Sequence, residues 1–262
     1  MSTQRDLIAT KIVMHAILPV MKVILEDDPA MKKRFADVTA KVQFIAGFDG
    51  KDIGAALVFD KGRFEVIHDI LQNPDLTFSF KTIEKFNAFL AGKPVIPKIK
   101  GLMRVSLLIK FVTLLLAMKI LMPNVKPKTP EKRRLKVKMV TYMITTALSQ
   151  YNKAGDPEMA AWTGKQPDRV YQMSVEMEGE PDGIAAYVRI KAGKSKAGRG
   201  YYKRRRPFVH MKFNGVDNAL AIFLNEVEFV EALSKGFVQV EGSPEYAAKL
   251  NDFMQRIQAL VV

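Results

Sequence analysis

The chain has 262 residues, of which 48% are hydrophobic, a content that excludes global disorder. It contains no cysteine, which excludes disulfides and thiol chemistry. The formal net charge of +14 is compatible with binding to nucleic acid, to anionic membranes or to acidic ligands, and it does not distinguish among these partners.

The amino-terminal stretch predicts a helix from about Asp6 to Leu25. Its apolar run, Ile12–Met21, is interrupted by Pro19 and is followed directly by Lys22. Acidic residues come next, with no small-residue cleavage site. We therefore expect a helix of the mature protein rather than a signal peptide or membrane anchor.

Short apolar segments separated by glycine turns follow this helix. Alternation of apolar and polar residues and the intervening turns predict four strands: Val42–Phe48, Ile53–Phe59, Arg63–Ile67 and Asp75–Phe80. A helix over Glu84–Ala91 is predicted to begin after Thr82 and to stop at Gly92.

The most apolar part of the chain is Lys98–Pro123, and it is not typical of a membrane span. Arg104, Lys110 and Lys119 interrupt it, and a charge near the middle of a span is costly. As a helix from Met103 to Met122, it is apolar nearly all round. Its narrow polar stripe consists of Ser106, Lys110, Thr113 and Ala117.

The second half of the chain repeats the order of the first. The motif Asp-Pro-x-Met occurs at residues 28 and 156, and Ile99-Lys100-Gly101 is matched by Val240-Glu241-Gly242. These correspondences predict an internal duplication, with units at residues 1–125 and 126–262. Successive strands joined by tight turns predict an α+β fold, in which each unit is a mainly antiparallel sheet covered by helices on one side.

Both halves resemble the sterol carrier protein 2 family. In the first half the resemblance lies in Asp75–Phe80, Phe86–Lys93, Ile99–Gly101 and the long helix that follows. In the second half it lies in Phe208–Phe213, Glu228–Gly236, Phe237–Gly242 and Pro244–Leu260. The match covers roughly residues 40–122 and 168–260.

The sequence departs from the family pattern in two places. The first unit lacks the helix that the family usually has between Gly92 and the last strand, and the second carries a longer basic connection, Lys191–Arg206. The resemblance implies two tandem α+β units with an apolar tunnel between sheet and helices. Such a tunnel holds sterols, fatty acyl chains or phospholipids.

The residues give little support to catalysis. His15, His68 and His210 have no metal-ligand spacing, and the glycines among the lysines after Lys191 do not form a phosphate loop. We therefore predict no catalytic residue, no metal site and no cofactor, and structural or surface roles for the histidines.

The basic run Lys194–Arg206 has three interpretations. Its basic side chains beside Tyr201 and Tyr202 would suit a phosphate backbone with stacked bases, or anionic lipid headgroups. It would equally suit a solvated hairpin that keeps the protein soluble. Nucleic acid is disfavoured because the run contains no base-reading motif.

The terminal helices of the two halves differ in composition. The second has one apolar stripe with charged residues opposite, whereas the first, from Met103, is apolar nearly all round. The extra apolar surface of the first half suits a large ligand, a membrane interface, or burial between units or subunits.

These observations predict a non-enzymatic carrier that binds a lipid-like molecule in the first unit. The lipid-binding residues are predicted to be Leu107, Phe111, Leu114, Leu115, Met118, Phe78 and Phe89. The residues for an acidic headgroup or anionic surface are predicted to be Lys110, Lys203, Arg204, Arg205 and Arg206. The alternative is a peripheral membrane or subunit-assembly protein, with a homodimer as one form. The expected location is the cytoplasm, with membrane contact at its periphery.

Overall fold

The computed structural model describes residues 3–180 and 183–261. The chain divides into two compact units between Met122 and Pro123, close to the predicted border after residue 125. Residues up to Met122 are called unit 1, and residues from Pro123 to Leu260 unit 2.

Unit 1 is a five-stranded mixed sheet with helices. Its helices are α1 (Gln4–Ile12), α2 (Met21–Asp27), α3 (Pro29–Phe35), α4 (Ile83–Leu90) and α5 (Val105–Ala117). Its strands are β1 (Thr39–Phe48), β2 (Lys51–Asp60), β3 (Arg63–Ile67), β4 (Leu76–Phe80) and β5 (Lys98–Lys100). The strand order is β3-β2-β1-β4-β5; β1 and β4 are parallel, and the other neighbours are antiparallel.

Unit 2 has the same sheet topology. Its helices are α6 (Pro130–Lys153), α7 (Pro157–Gly164), α8 (Gly215–Phe223), α9 (Phe229–Ser234) and α10 (Pro244–Val261). Its strands are β6 (Arg169–Glu176), β7 (Ile184–Lys191), β8 (Lys194–Arg199), β9 (Val209–Asn214) and β10 (Val238–Gly242). The order β8-β7-β6-β9-β10 contains one parallel pair, β6 with β9. The predicted α+β class, with two mainly antiparallel sheets covered by helices, is confirmed.

The helices of each unit pack on one face of its sheet. Phe44 of β1 is fully buried, and its ring lies 5.8 Å from that of Phe86 on α4. In unit 2, Tyr171 of β6 is buried with its ring 5.6 Å from Trp162 on α7. Because side chains alternate between faces along a strand, the neighbouring Gln43 and Gln172 point to the other face.

Each Asp-Pro-x-Met motif lies at the start of a helix, α3 or α7. Asp28 Oδ1 accepts hydrogen bonds from the backbone of Ala30 and Met31, and Asp156 Oδ1 accepts one from Met159. Each aspartate thus pairs amides that the first helical turn leaves unpaired, while proline needs none at that position.

One helix of unit 2 is absent from the sequence-based prediction. Helix α8 follows β9 and packs on α6, as α4 follows β4 and packs on α1. Helix α9 then lies between α8 and β10, where unit 1 has a short connection from Ala91 to Pro97. The expected lack of a helix after Gly92 is therefore confirmed.

The amino-terminal helical stretch, Gln4–Asp27, is continuous but irregular. A π-helical turn (Val13–Ile17) and a 3₁₀ turn containing Pro19 separate α1 from α2. Among the described residues, it is the one stretch long and apolar enough to cross a membrane by length and composition. Within the structure, 67% of its most apolar 18-residue segment is buried. The core helix of a globular unit meets the same criteria of length and composition.

Candidate lipid-binding site

The inner side of α5 closes the apolar core of unit 1. Phe111 and Leu114 are fully buried, and Met118 follows them into the core. The Phe111 ring lies 5.4 Å from Phe78 on β4 and 5.9 Å from Phe44 on β1. Two predicted lipid-binding residues, Phe78 and Phe111, are therefore in direct contact between helix and sheet.

A half-buried apolar rim surrounds this inner side. Leu107 and Leu115 of α5 lie at the rim, as does Phe89 of α4, whose ring is 5.2 Å from that of Phe80. Leu107 and Leu115 thus extend the apolar surface of α5 beyond its buried residues, and Phe89 extends that of α4.

The ends of α4 and α5 lie close together at this rim. A Cβ added at Gly92, after α4, would come within 3.3 Å of the Met122 side chain, after the 3₁₀ turn Met118–Leu121. Lys93 and Lys119 are exposed beside these ends, so the sequence places positive charge next to the rim.

Lys110 is half-buried on α5, on the polar stripe that the sequence predicted. Among the described residues it has no carboxylate partner. Thr113, one turn further, donates its hydroxyl to the Ile109 carbonyl at 2.8 Å. The Lys110 ammonium is thus available to an acidic group arriving at the rim.

The amino-terminal end of α5 is held by a carboxylate and a glycine. Arg104 Nη1 lies 2.9 Å from Asp75 Oδ1, while Asp75 Oδ2 accepts a hydrogen bond from the Lys41 amide at 2.7 Å. Gly101 has a φ of +91°, and a Cβ there would lie 2.1 Å from the Asp75 carbonyl oxygen. This turn therefore fixes where α5 leaves the sheet.

The outer side of α5 is apolar and exposed. Val105, Ile109, Val112 and Leu116 follow one another at helical spacing and are between 40% and 60% exposed. We call these four residues the outer ridge. The apolar excess expected from sequence therefore lies on a defined face of α5, opposite Phe111 and Leu114.

The basic run of unit 2 consists of an edge strand followed by a covering segment. Lys194–Arg199 forms β8, and residues 200–208 fold back over the sheet face that carries Gln172. The Gly200 amide donates to the Ala185 carbonyl at 2.6 Å, and the Phe208 amide donates to the Val170 carbonyl at 2.8 Å.

In each unit a buried glutamine accepts a hydrogen bond from the backbone of the segment that lies over this face of the sheet. The sequence analysis identified neither glutamine. Gln172 Oε1 accepts a hydrogen bond from the Tyr202 amide at 2.9 Å, and Gln43 Oε1 accepts one from the Leu71 amide at 3.0 Å. A glutamine within an apolar strand, repeated at the same place in both halves, was the available signal.

The predicted headgroup residues of unit 2 differ in their partners. Arg205 shares Asp168 with Arg189, at 2.6 Å and 2.5 Å, and these guanidinium groups hold the pKa of the Asp168 carboxyl well below its usual range. Arg206 lies 3.8 Å from Glu241. Lys203 and Arg204 are exposed at the bend of the covering segment. They belong to unit 2, whereas Lys110 belongs to unit 1.

The histidines make contacts that their sequence positions did not suggest. The rings of His15 and His68 stack with their centroids 3.8 Å apart. In unit 2, His210 Nε2 lies 2.7 Å from the hydroxyl of the buried Ser174, and burial lowers the pKa of His210 to about 4. Within residues 3–180 and 183–261, no three His, Asp or Glu side chains are grouped to hold a metal ion.

No family model and no curated protein matches the sequence. Among solved structures, palmitated SCP2L2 from Aedes aegypti is 23% identical, with a TM-score of 0.30, over 42% of this chain and 90% of that one. Apo sterol carrier protein 2 from Yarrowia lipolytica is 14% identical, with a TM-score of 0.31, over 41% and 91%. The sec-alkylsulfatase Pisa1 from Pseudomonas sp. is 13% identical, with a TM-score of 0.25, over 56% and 28%. At such TM-scores these likenesses assign no activity, and the function is argued from the residues of the site.

Proposed function

We propose that unit 1 binds and carries a lipid-like molecule without catalysing a reaction on it. The observation that carries the proposal is the apolar side of α5, on which the half-buried Leu107 and Leu115 lie one turn from the buried Phe111. An acyl chain or sterol ring lying along this surface is removed from water, at roughly 25 cal/mol per Å² of apolar area.

The ligand is proposed to enter between α5 and the sheet, where α5 is held mainly by one buried stripe. Rings and methionine side chains adapt to a guest, and Met118 and Met122 stand at the end of the helix near the rim. The turn at Gly101 and the Arg104–Asp75 pair keep the start of α5 in place while the rest of the helix moves.

Lys110 is proposed to bind the acidic group of the ligand. A half-buried ammonium without a carboxylate partner among the described residues binds a carboxylate or phosphate by a charge-assisted hydrogen bond. A fatty acid or an anionic phospholipid is therefore favoured over a neutral sterol.

The first test is extraction of the purified full-length protein with organic solvent, followed by mass spectrometry, and titration with a fluorescent fatty acid. We expect bound lipid and saturable uptake of the probe. Repeated recovery of no lipid, together with no uptake, would contradict the proposal.

The second test replaces Lys110 with methionine, which keeps the length and apolar stem of the side chain. Affinity for a fatty acid should fall about fivefold, since a partly solvated ionic hydrogen bond contributes about 1 kcal/mol. Affinity for the corresponding fatty alcohol should stay unchanged. Lys11→Met, at a half-buried lysine of α1, is the matched control and should change neither affinity.

A further inference from the structure

The outer ridge of α5 has no equivalent on the closing helix of unit 2. Helix α10 buries Ala247, Leu250, Phe253 and Ile257 on one face. On its other side Lys249 and Arg256 both pair with Glu158. Two helices at the same place in the topology thus present different surfaces, one charged and one apolar.

Exposed apolar side chains are concentrated around the start of α5. Among the described residues, the large exposed ones here are Ile96, Leu102, Met103, Val105, Ile109, Val112 and Leu116, and the remaining one is Val230 on α9. Met103 is 96% exposed and lies in the turn before the helix. From Val105 to Leu116 the ridge extends for about 16 Å along the helix axis.

Positive charge lies at both ends of this apolar surface. Arg104, which pairs with Asp75, is exposed at the start of α5, and Lys93 and Lys119 are exposed beside its end. Between Glu84 and Glu131 the sequence has no acidic residue. The surface therefore combines an apolar centre with a basic border.

We propose that the outer ridge docks unit 1 on an anionic phospholipid bilayer, with Met103 and the ridge at the boundary between headgroups and acyl chains. The lysines and Arg104 lie against lipid phosphates. Stable attachment to a bilayer generally needs two weak signals, such as apolar insertion and a basic patch, and this surface supplies both.

Charge complementarity favours a bilayer over a second copy of the chain. Both ends of α5 are basic, so pairing of two ridges in either orientation brings positive side chains together. An anionic lipid surface instead complements both ends at once. The inference does not depend on whether unit 1 carries a lipid inside.

The absence of cysteine from the sequence makes a direct measurement of insertion possible. Met103→Cys and Ile109→Cys, each labelled with an environment-sensitive fluorophore, should show a blue shift on vesicles containing phosphatidylserine. Val230→Cys, at an exposed apolar residue of unit 2, is the matched control and should show no shift. Vesicles of phosphatidylcholine alone should bind at least several-fold more weakly.

Substitutions then separate the two signals in a vesicle co-flotation assay with the full chain. Ile109→Gln with Leu116→Gln should lower vesicle affinity at least tenfold, and Val230→Gln should leave it unchanged. Lys93→Gln with Lys119→Gln should lower affinity for anionic vesicles about 20-fold, at about fivefold per charge. Lys194→Gln with Lys196→Gln, on the edge strand of unit 2, is the matched control for charge.

Two results would overturn the docking proposal. One is equal vesicle affinity of the wild type and the Ile109/Leu116 variant. The other is a label response that follows protein concentration instead of vesicles, because the ridge is then buried between two copies. Vesicle binding in a protein that yields no extractable lipid would refute carriage and leave docking intact.

Discussion

At the scale of single residues, two glycines explain why the duplication is visible in the sequence. Gly101 and Gly242 have φ angles of +91° and +98°. Gly101 directly follows β5, and Gly242 is the last residue of β10. A Cβ at Gly242 would lie 2.0 Å from the Phe208 carbonyl oxygen, as one at Gly101 would from Asp75. No other residue type fits, so the sequence keeps a glycine in both halves.

Replacing Gly242 with alanine should lower the free energy of unfolding by more than about 3 kcal/mol, because a positive φ and a collision with backbone are combined. Gly155→Ala is the matched control in the same unit: its φ is +87°, but a Cβ there meets nothing within 4 Å. It should cost about 1 kcal/mol. Urea unfolding followed by Trp162 fluorescence measures both, and equal losses would refute the steric explanation.

The half-buried His210 predicts acid sensitivity of unit 2. Its pKa is lowered from 6.5 to about 4, mainly by burial and also by Lys212, while Glu241 opposes this. Between these pH values the unfolded chain binds more protons, so stability falls as the pH drops from 6.5 to 4. The loss is at most about 3 kcal/mol, and less once solvent screening of the half-buried ring is counted.

The measurement is the urea midpoint of Trp162 fluorescence between pH 7 and pH 4.5. His210→Gln keeps a hydrogen-bonding group beside Ser174 and should flatten this dependence. A variant with the same slope as the wild type would assign the acid sensitivity to other groups, of which Glu241 and Asp168 titrate at lower pH.

At the scale of secondary structure elements, the basic composition of Lys194–Arg206 did not reveal that its first part is a strand. Lys194–Arg199 is basic because β8 is the edge of its sheet, and charged side chains on an edge prevent pairing with other chains. The same basic composition resembles a solvated loop in sequence. The hydrogen bonds that fix the covering segment come from Gln172, more than 20 residues earlier, which local pattern cannot reveal.

Gln172→Met should release the covering segment of unit 2. The buried Gln172 Nε2 donates to the Ala186 and Gly200 carbonyls at 2.8 Å and 3.2 Å, and methionine leaves both carbonyls and the Tyr202 amide without this partner. We expect a loss of about 2–4 kcal/mol and faster hydrogen exchange at Tyr202. Gln239→Met, at an exposed site of the same sheet, is the control; unchanged exchange at Tyr202 would refute the assignment.

Helix α5 shows what an apolar sequence can and cannot predict. The helix and its polar stripe were predicted from the pattern, whereas the contact of Phe111 with Phe78 was not. The exposed outer ridge was not identified, because a helix that is apolar nearly all round gives only a weak signal of which apolar side faces solvent. Helix α8 was not predicted, and Asn214 at its start forms no side-chain capping bond.

At the scale of the whole molecule, two units with the same sheet topology present different surfaces. The strand order and strand directions agree between the units, and both sequences share turn glycines and the buried glutamines. The units differ in the closing helix and in α9. These unshared features locate the proposed lipid-binding function in unit 1.

This division of roles predicts that a fatty acid stabilises unit 1 and leaves unit 2 unchanged. Trp162, the one tryptophan of the sequence, lies in unit 2 against Tyr171 and Phe253, so its fluorescence follows unit 2, whereas circular dichroism follows both units. At a ligand concentration of about 100 Kd the stabilisation of unit 1 is about 2.7 kcal/mol. Circular dichroism should therefore show part of the thermal transition moving upward while the Trp162 transition stays in place. An equal shift in both signals would mean that the ligand is bound by unit 2 or by both units.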